Sequence, residues 1–174
     1  MKILVLNGSP RKNGNVSNLL KKEADRQLHK NPSSEIIWEN VYNLNFNFCL
    51  GCMACRSKGS CILQKDDAHK IENEIKECDM IIVGTPVYWG NMNGKLKALF
   101  DRLVGVMMGE SKHGIPLPLH KGKKAIIVTS CTTPFPFNYL CGQSTGAVRA
   151  VKEVLKSSGF KVIRKINISN TKKR

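Results

Sequence analysis

Apolar residues gather in short runs along the chain, and between the runs they recur at helical spacing. Lys2-Ile3-Leu4-Val5-Leu6-Asn7 reads as a buried strand that ends on the turn signal Gly8-Ser9-Pro10. Val16, Leu19, Leu20, Ala24 and Leu28 then fall on one face of a helix, with Lys21, Lys22, Glu23 and Arg26 expected on the wet side. Asn31-Pro32-Ser33-Ser34 stops that helix, and residues 35–41, with Ile36, Ile37 and Trp38, form a second strand. Residues 43–65 show no clear period. Asp66-Asp67 begin a helix that runs to about Glu77, since carboxylates suit a helix N-terminus.

Met80-Ile81-Ile82-Val83-Gly84 is apolar throughout, as a central parallel strand should be. Residues 85–93 read as a loop of Gly, Asn and aromatic residues. Leu96, Leu99, Phe100, Leu103, Val104 and Met107 predict a strongly amphipathic helix. Residues 123–130 form the fourth strand. Residues 145–158 form a helix with Ala147, Val148, Val151, Val154 and Leu155 inward and Lys152 and Lys156 outward, ended by Gly159. Residues 160–168 form the fifth strand, and residues 170–174 are a basic tail. Alternation of this kind predicts an α/β fold, a parallel sheet with helices on both faces.

At 174 residues the chain suits one domain over residues 1–174, large enough to bury a core without disulfide or metal support. No apolar run approaches the roughly 20 residues of a membrane span. The apolar start, Met1 to Gly8, is too short for a secretory leader, so the expected location is cytoplasmic, with no membrane partner.

In an open parallel sheet, ligands bind beyond the carboxyl ends of the strands. The loop after the first strand offers Ser9, Arg11, Asn15 and Ser17 around small residues and a helix N-terminus, a set suited to phosphate. It is neither a Walker loop nor GxGxxG. The loop after the third strand, Thr85 to Asn93, offers Tyr88 and Trp89 to a flat ring and backbone groups around Gly90 and Asn91 to its polar edge. The loop after the fourth strand adds hydroxyls at Ser130, Thr132 and Thr133.

Together Gly8-Ser9-Pro10-Arg11, Gly14-Asn15, Pro86-Val87-Tyr88-Trp89-Gly90, Lys97 and Asp101-Arg102 resemble the flavodoxin-like NADPH-dependent FMN reductase family, from Lys2 to about Ile168. The resemblance implies a flavodoxin-like three-layer sandwich whose five-stranded sheet has the order 2-1-3-4-5, with FMN at its carboxyl edge. Carried over by position, Ser9, Arg11, Asn15 and Ser17 would hold the FMN phosphate. Pro86, Val87, Tyr88, Trp89, Gly90 and Asn91 would flank the isoalloxazine, with Ser130 beside them. Val16 stands where the family often has Thr, so its backbone N–H must serve the phosphate there. NAD(P)H is the implied substrate, an acceptor the second. A homodimer or homotetramer is the implied assembly.

The unpatterned segment holds Cys49-x2-Cys52-x2-Cys55-x5-Cys61, four of the seven cysteines. Such spacing lets consecutive thiolates wrap one inorganic centre, as in bacterial ferredoxins. Bare thiols, a zinc site and a disulfide framework remain alternatives, the last disfavoured in a reducing compartment. The spacing is similar to that of the iron–sulfur flavoprotein branch of the family. That branch implies a 4Fe–4S cluster on Cys49, Cys52, Cys55 and Cys61, and ferredoxin-like electron partners. Cys78, Cys131 and Cys141 read as small, partly buried apolar residues, Cys131 within reach of a flavin. His29, His69, His113 and His120 show no paired spacing and are expected at the surface.

The net charge is +15, from 28 basic and 13 acidic residues. The basic residues are spread along the chain, and Lys outnumbers Arg by 21 to 7. A nucleic-acid domain would concentrate them on one face and interleave aromatics. The charge instead suits attraction of anions such as FMN and NADPH. It is also the sole support for the rival reading, a non-catalytic anion- or nucleic-acid-binding module on the same scaffold.

Overall fold

The computed structural model of the chain describes residues 1–173; Arg174, the end of the expected basic tail, lies outside the described residues. Strand β1 (Lys2–Asn7) leads to helix α1 (Asn15–Lys30) and strand β2 (Glu35–Asn40). A short helix α2 (Cys55–Lys58) lies inside the cysteine segment, before α3 (Asp67–Glu77) and β3 (Met80–Pro86). Next come α4 (Gly94–Arg102), α5 (Val104–Met107) and the short strands β4 (Met108–Glu110) and β5 (Pro116–Pro118). The chain closes with β6 (Lys124–Ser130), α6 (Phe137–Leu140), α7 (Gln143–Ser157), β7 (Lys161–Ile168) and a 3-10 turn (Thr171–Lys173).

The main sheet is parallel, with the order β2-β1-β3-β6-β7. In order of appearance this is 2-1-3-4-5, the expected doubly wound arrangement. Alternation of side chains along the strands splits the core in two. Leu4, Leu6, Ile81, Val83, Ala125 and Ile127 pack under α3, α4, α5 and α7. Ile3, Val5, Ile82, Ile126 and Val128 pack under α1 through Val16, Leu20 and Ala24. The central strands β1, β3 and β6 are buried on both faces, which is why they read as continuous apolar runs. The β4–β5 ribbon is a separate antiparallel pair.

Several expectations change. Glu23 is buried, not on the wet side of α1. It accepts hydrogen bonds from Arg26 Nε (2.9 Å) and Gln27 Nε2 (2.7 Å), and Arg164 of β7 stands 3.8 Å away. Burial alone would raise its carboxyl pKa, but these partners hold it below the usual range. His120 is buried too, stacked on Phe160 at 4.9 Å with Nε2 2.9 Å from the Val106 carbonyl, and burial lowers its pKa. Cys141 is exposed, whereas Cys78 and Cys131 are fully buried; burial pushes the Cys78 thiol up to about 11.

The amphipathic run ending at Met107 is two helices. The break comes at Leu103, after which Gly105 meets the cysteine segment. A Cβ on Gly105 would lie 2.7 Å from the Cys55 carbonyl oxygen, so only glycine permits this contact.

Candidate functional site

The carboxyl ends of β1, β3 and β6 open onto one cavity of about 290 Å³. Its lining includes Ser9, Arg11, Asn15 and Val16 after β1, Pro86, Val87 and Tyr88 after β3, and Ser130 at the end of β6. Four expected residues are not in that lining: Ser17, Trp89, Gly90 and Asn91.

The loop after β1 is shaped from within. Asn7 Nδ2 donates to Ser17 Oγ (3.0 Å) and to Asn40 Oδ1 (3.0 Å), while Asn7 Oδ1 accepts from the Ser9 N–H (3.1 Å). Ser17 Oγ donates to the Arg11 carbonyl at 2.8 Å, and Ser9 Oγ accepts from the Arg11 N–H at 3.2 Å. Ser9 Oγ donates to the same carbonyl at 3.3 Å, so both hydroxyls shape the loop, but Ser9 lines the cavity, where its hydroxyl can turn to an anion, and Ser17 does not. Helix α1 begins at this loop with no side-chain cap and no acidic residue in its first turn. Its first N–H groups and the positive end of its dipole face the cavity through Asn15 and Val16. That end, with the Arg11 guanidinium and the Ser9 hydroxyl, is chemically fitted to a phosphate dianion.

The loop after β3 is a tight hairpin. Tyr88 and Asn91 exchange backbone hydrogen bonds (3.0 and 2.9 Å), and Trp89 and Gly90 between them have φ of 52° and 69°. Both central residues being left-handed is the pattern of a type I′ turn, where Asn or Gly is usual and Trp is strained. The Trp89 indole stands entirely in solvent. Strain of this kind clusters at functional sites. The hairpin is fixed at its base by Val87 N–H to the Ser130 carbonyl (2.9 Å) and Asn93 N–H to Thr85 Oγ1 (2.9 Å). On its far side it rests on α7: a Cβ on Gly146 would stand 2.1 Å from the Gly90 carbonyl.

The C-terminal 3-10 turn was missed as a site element. Thr171 Oγ1 donates to the Cys131 carbonyl (3.0 Å), which folds the tail back so that Thr171 and Lys172 line the cavity. The only sequence signal was the basic run itself. Thr132, from the loop after β6, lines the cavity as well; Cys131 is buried beneath and does not.

The cysteine segment is built differently. Arg102, with its side chain fully buried, reaches from α4 to both ends of the segment. Its Nη1 donates to the Asn47 carbonyl (2.7 Å), its Nε to Cys61 Sγ (3.1 Å), and its guanidinium pairs with Asp66 at 2.7 and 3.1 Å. Glu72 accepts from the Ser60 hydroxyl and from the Cys61 N–H (3.0 Å). His69 closes a capping box on α3 with Asp66 and contacts the Cys61 carbonyl through Nε2 (3.0 Å). Burial would raise the Asp66 carboxyl, but Arg102 and the Asn47 N–H hold it below the usual carboxylate range.

Cys49 and Cys52 are exposed, and Cys55 and Cys61 half-buried. Burial, then repulsion from Cys61, Cys49 and Cys52, pushes the Cys55 thiol up. The donor set matches an iron–sulfur centre in kind. Among the described residues, however, no three Cys, His, Asp or Glu side chains converge as a metal site.

Comparison with known proteins places this geometry. A family model described as flavodoxin-like fold matches residues 1–174. An iron–sulfur flavoprotein of Archaeoglobus fulgidus is 41% identical over 109 residues, 63% of this chain and 52% of that protein. An FMN-dependent NADH:quinone oxidoreductase of Paraburkholderia phymatum is 27% identical over 138 residues, 74% of this chain and 69% of that protein. The chain spans about half the length of the iron–sulfur flavoproteins it matches. Among solved structures, an FMN-dependent NADH-azoreductase from Bacillus anthracis in complex with FMN superposes with a TM-score of 0.73 at 14% identity, covering 98% of this chain and 87% of that one. At such identity it shares the fold. No helix among the described residues is long and apolar enough to cross a membrane.

Proposed function

The chain belongs to the flavodoxin-like fold family matched over residues 1–174, and on that premise we propose that these residues form the FMN-binding domain of an FMN-dependent oxidoreductase that uses NAD(P)H. The observation that carries the reading is the cavity where the uncapped N-terminus of α1, Arg11 and Lys172 meet the strained Tyr88–Asn91 hairpin. A phosphate-seeking end and an aromatic end on one sheet edge match the two ends of FMN.

Bound FMN would supply the hydride and single-electron chemistry that no side chain of this fold offers. Ser9, Arg11 and the N–H groups of Asn15 and Val16 hold the phosphate, and Ser17 holds the loop in shape. Pro86, Val87 and Tyr88 form one wall for the ring. Trp89, Gly90 and Asn91 lie at the hairpin tip, where they can close over a ring that projects beyond the cavity. Ser130 and Thr132 offer hydroxyls to the opposite edge.

The four thiols Cys49, Cys52, Cys55 and Cys61 are proposed to take up a 4Fe–4S cluster, supported by their spacing and by the likeness to proteins named iron–sulfur flavoproteins. Electron partners would then include ferredoxin-like proteins. Exposed Trp89, Phe48, Leu50, Phe135, Phe137 and Leu140 support an assembly of two or four copies that covers them. A soluble, cytoplasmic location completes the reading.

The test is an anaerobic visible spectrum of the purified protein with iron and sulfide analysis. Flavin bands, or uptake of added FMN, are the expected result, with about four irons per chain if the cluster is present. A colourless protein that refuses FMN sinks the reading. Flavin without iron, with oxygen excluded, removes the cluster alone.

A further inference from the structure

A second recess of about 500 Å³ lies between α7 and the edge strand β7. Arg149, Lys152 and Lys165 line it, together with Val148, the ring of Tyr139 and the hydroxyl of Ser144, and none of its lining residues is acidic. None of the three cations takes part in an ion pair among the described residues. Three cations on one wall without a carboxylate create a field that favours an anion.

The placement of these groups is particular. Arg149 and Lys152 are one turn apart on α7, so they share a face. Lys165 reaches them because β7 carries an irregularity opposite Ala125 and Ile126. The slip pairs Ile126 with Arg164 and Ile127 with Lys165. Arg164 therefore faces α1 and Glu23, and Lys165 and Asn167 face α7. Asn167 is held by the Thr129 hydroxyl (2.8 Å) and donates to Tyr139 Oη (3.3 Å), which fixes the tyrosine over the recess.

The recess also continues toward the flavin edge. A neighbouring cavity of about 550 Å³ is lined by Gly90, Asn91, Gly146, Ala150 and Glu153 and shares Arg149 with it, so the carboxylate lies on the stretch between the two and the cations on the recess itself. The hairpin that supplies Gly90 and Asn91 supplies Tyr88 to the cavity beyond β1 and β3. A ligand that reaches from the recess to the hairpin is long, anionic at the recess and able to pack a ring against Val148 and Tyr139. The volume and the apolar wall exceed what a lone phosphate needs.

We propose that this recess takes the phosphorylated adenosine half of a nicotinamide dinucleotide, with Arg149, Lys152 and Lys165 on its phosphates and Val148 and Tyr139 against the base. The proposal rests on the reading of the chain as an NAD(P)H-dependent flavoprotein, and it names the part of the surface that would select the nucleotide.

Calorimetric titration of the purified protein with adenosine 2′,5′-bisphosphate tests it, with inorganic phosphate as the comparison. The expected result is saturable bisphosphate binding, weakened about tenfold by Arg149→Ala and severalfold by Lys165→Ala, as charge-assisted contacts imply. Lys156→Ala, on the exposed face of α7, should leave it unchanged. No binding, equal binding of inorganic phosphate, or indifference to Arg149→Ala and Lys165→Ala overturns the proposal. FMN titrated into the same samples reads the flavin site separately. Intact FMN binding with no bisphosphate binding overturns the recess and leaves the flavin reading standing. Bisphosphate binding in a protein that takes no FMN supports the recess and removes the flavin reading.

Discussion

The loop after β1 and the cysteine segment both sit outside the regular elements, yet they are held in opposite ways. The first is short and fixed by local bonds: Asn7, Ser9, Arg11 and Ser17 satisfy one another within a few residues. The second spans residues 43–65 and is held from outside by charged side chains that lie far off in the sequence. A loop tied locally keeps its shape when a single tie is cut. A loop whose two ends meet on one buried guanidinium, with Glu72 and His69 holding only the Cys61 end, loses that junction when the guanidinium goes. The difference matches their proposed work, since a phosphate seat needs preorganised N–H groups and a thiol cluster needs loop ends brought together.

The strongest way to break the comparison is Arg102→Ala. It removes the tether on Asn47 and Cys61 and leaves Asp66 without its cation, and loss of one partner of a buried pair costs about 3–5 kcal/mol. Denaturant unfolding should show that loss, and Cys61 should react with a thiol reagent as fast as exposed Cys49. A variant of full stability with Cys61 still slow would mean the segment is held by other contacts.

Next in size is the double substitution Ser9→Ala with Arg11→Ala. Two contacts to a phosphate go, one of them charge-assisted, for about 2–3 kcal/mol or roughly a hundredfold in FMN affinity. Overall stability should barely change, because Asn7 and Ser17 still shape the loop. Unchanged FMN affinity would mean the phosphate sits elsewhere.

The smallest effect sharpens the part played by α3, which anchors the cysteine segment through Asp66, His69 and Glu72. On the same helix Glu74 Oε2 is buried without a hydrogen-bond partner, and burial, then the Glu39 carboxylate, raises the Glu74 pKa to about 7 despite Lys70. The folded state therefore holds a proton that the unfolded chain gives up near the ordinary carboxyl value of 4.5. This group's contribution is fully present below that value and is lost as pH rises through about 7. Glu74→Gln should raise Tm by about 2–4 °C at pH 8 and by less at pH 5, as follows from about 1 kcal/mol in a chain this size. An equal shift at both pH values would show that the carboxyl titrates normally.

Much of the fold was legible because central parallel strands are apolar on both faces and their helices are amphipathic. The phosphate loop was legible because its residues are contiguous. Glu23 and His120 depart from that pattern because each is satisfied inside the core, Glu23 by Arg26 and Gln27 with Arg164 nearby and His120 by the Val106 carbonyl, and side-chain spacing along the chain does not announce such partners. Thr171 and Lys172 were read as tail because their contact, Cys131, lies forty residues away.

The order of apolar runs determined the sheet, the helices and which loops share its carboxyl edge, since burial of alternate faces allows few other arrangements. Four cysteines at close spacing determined the candidate donor set. Only the tertiary structure decided which groups act together. It brought Arg102 to Cys61, folded Lys172 onto the cavity that Arg11 lines, and through one slip in β7 sent Lys165 toward Arg149 and Arg164 toward Glu23. The reason is geometric. Strand period sets the face of each side chain only until the register shifts, and registers and ion pairs between distant segments are settled by packing.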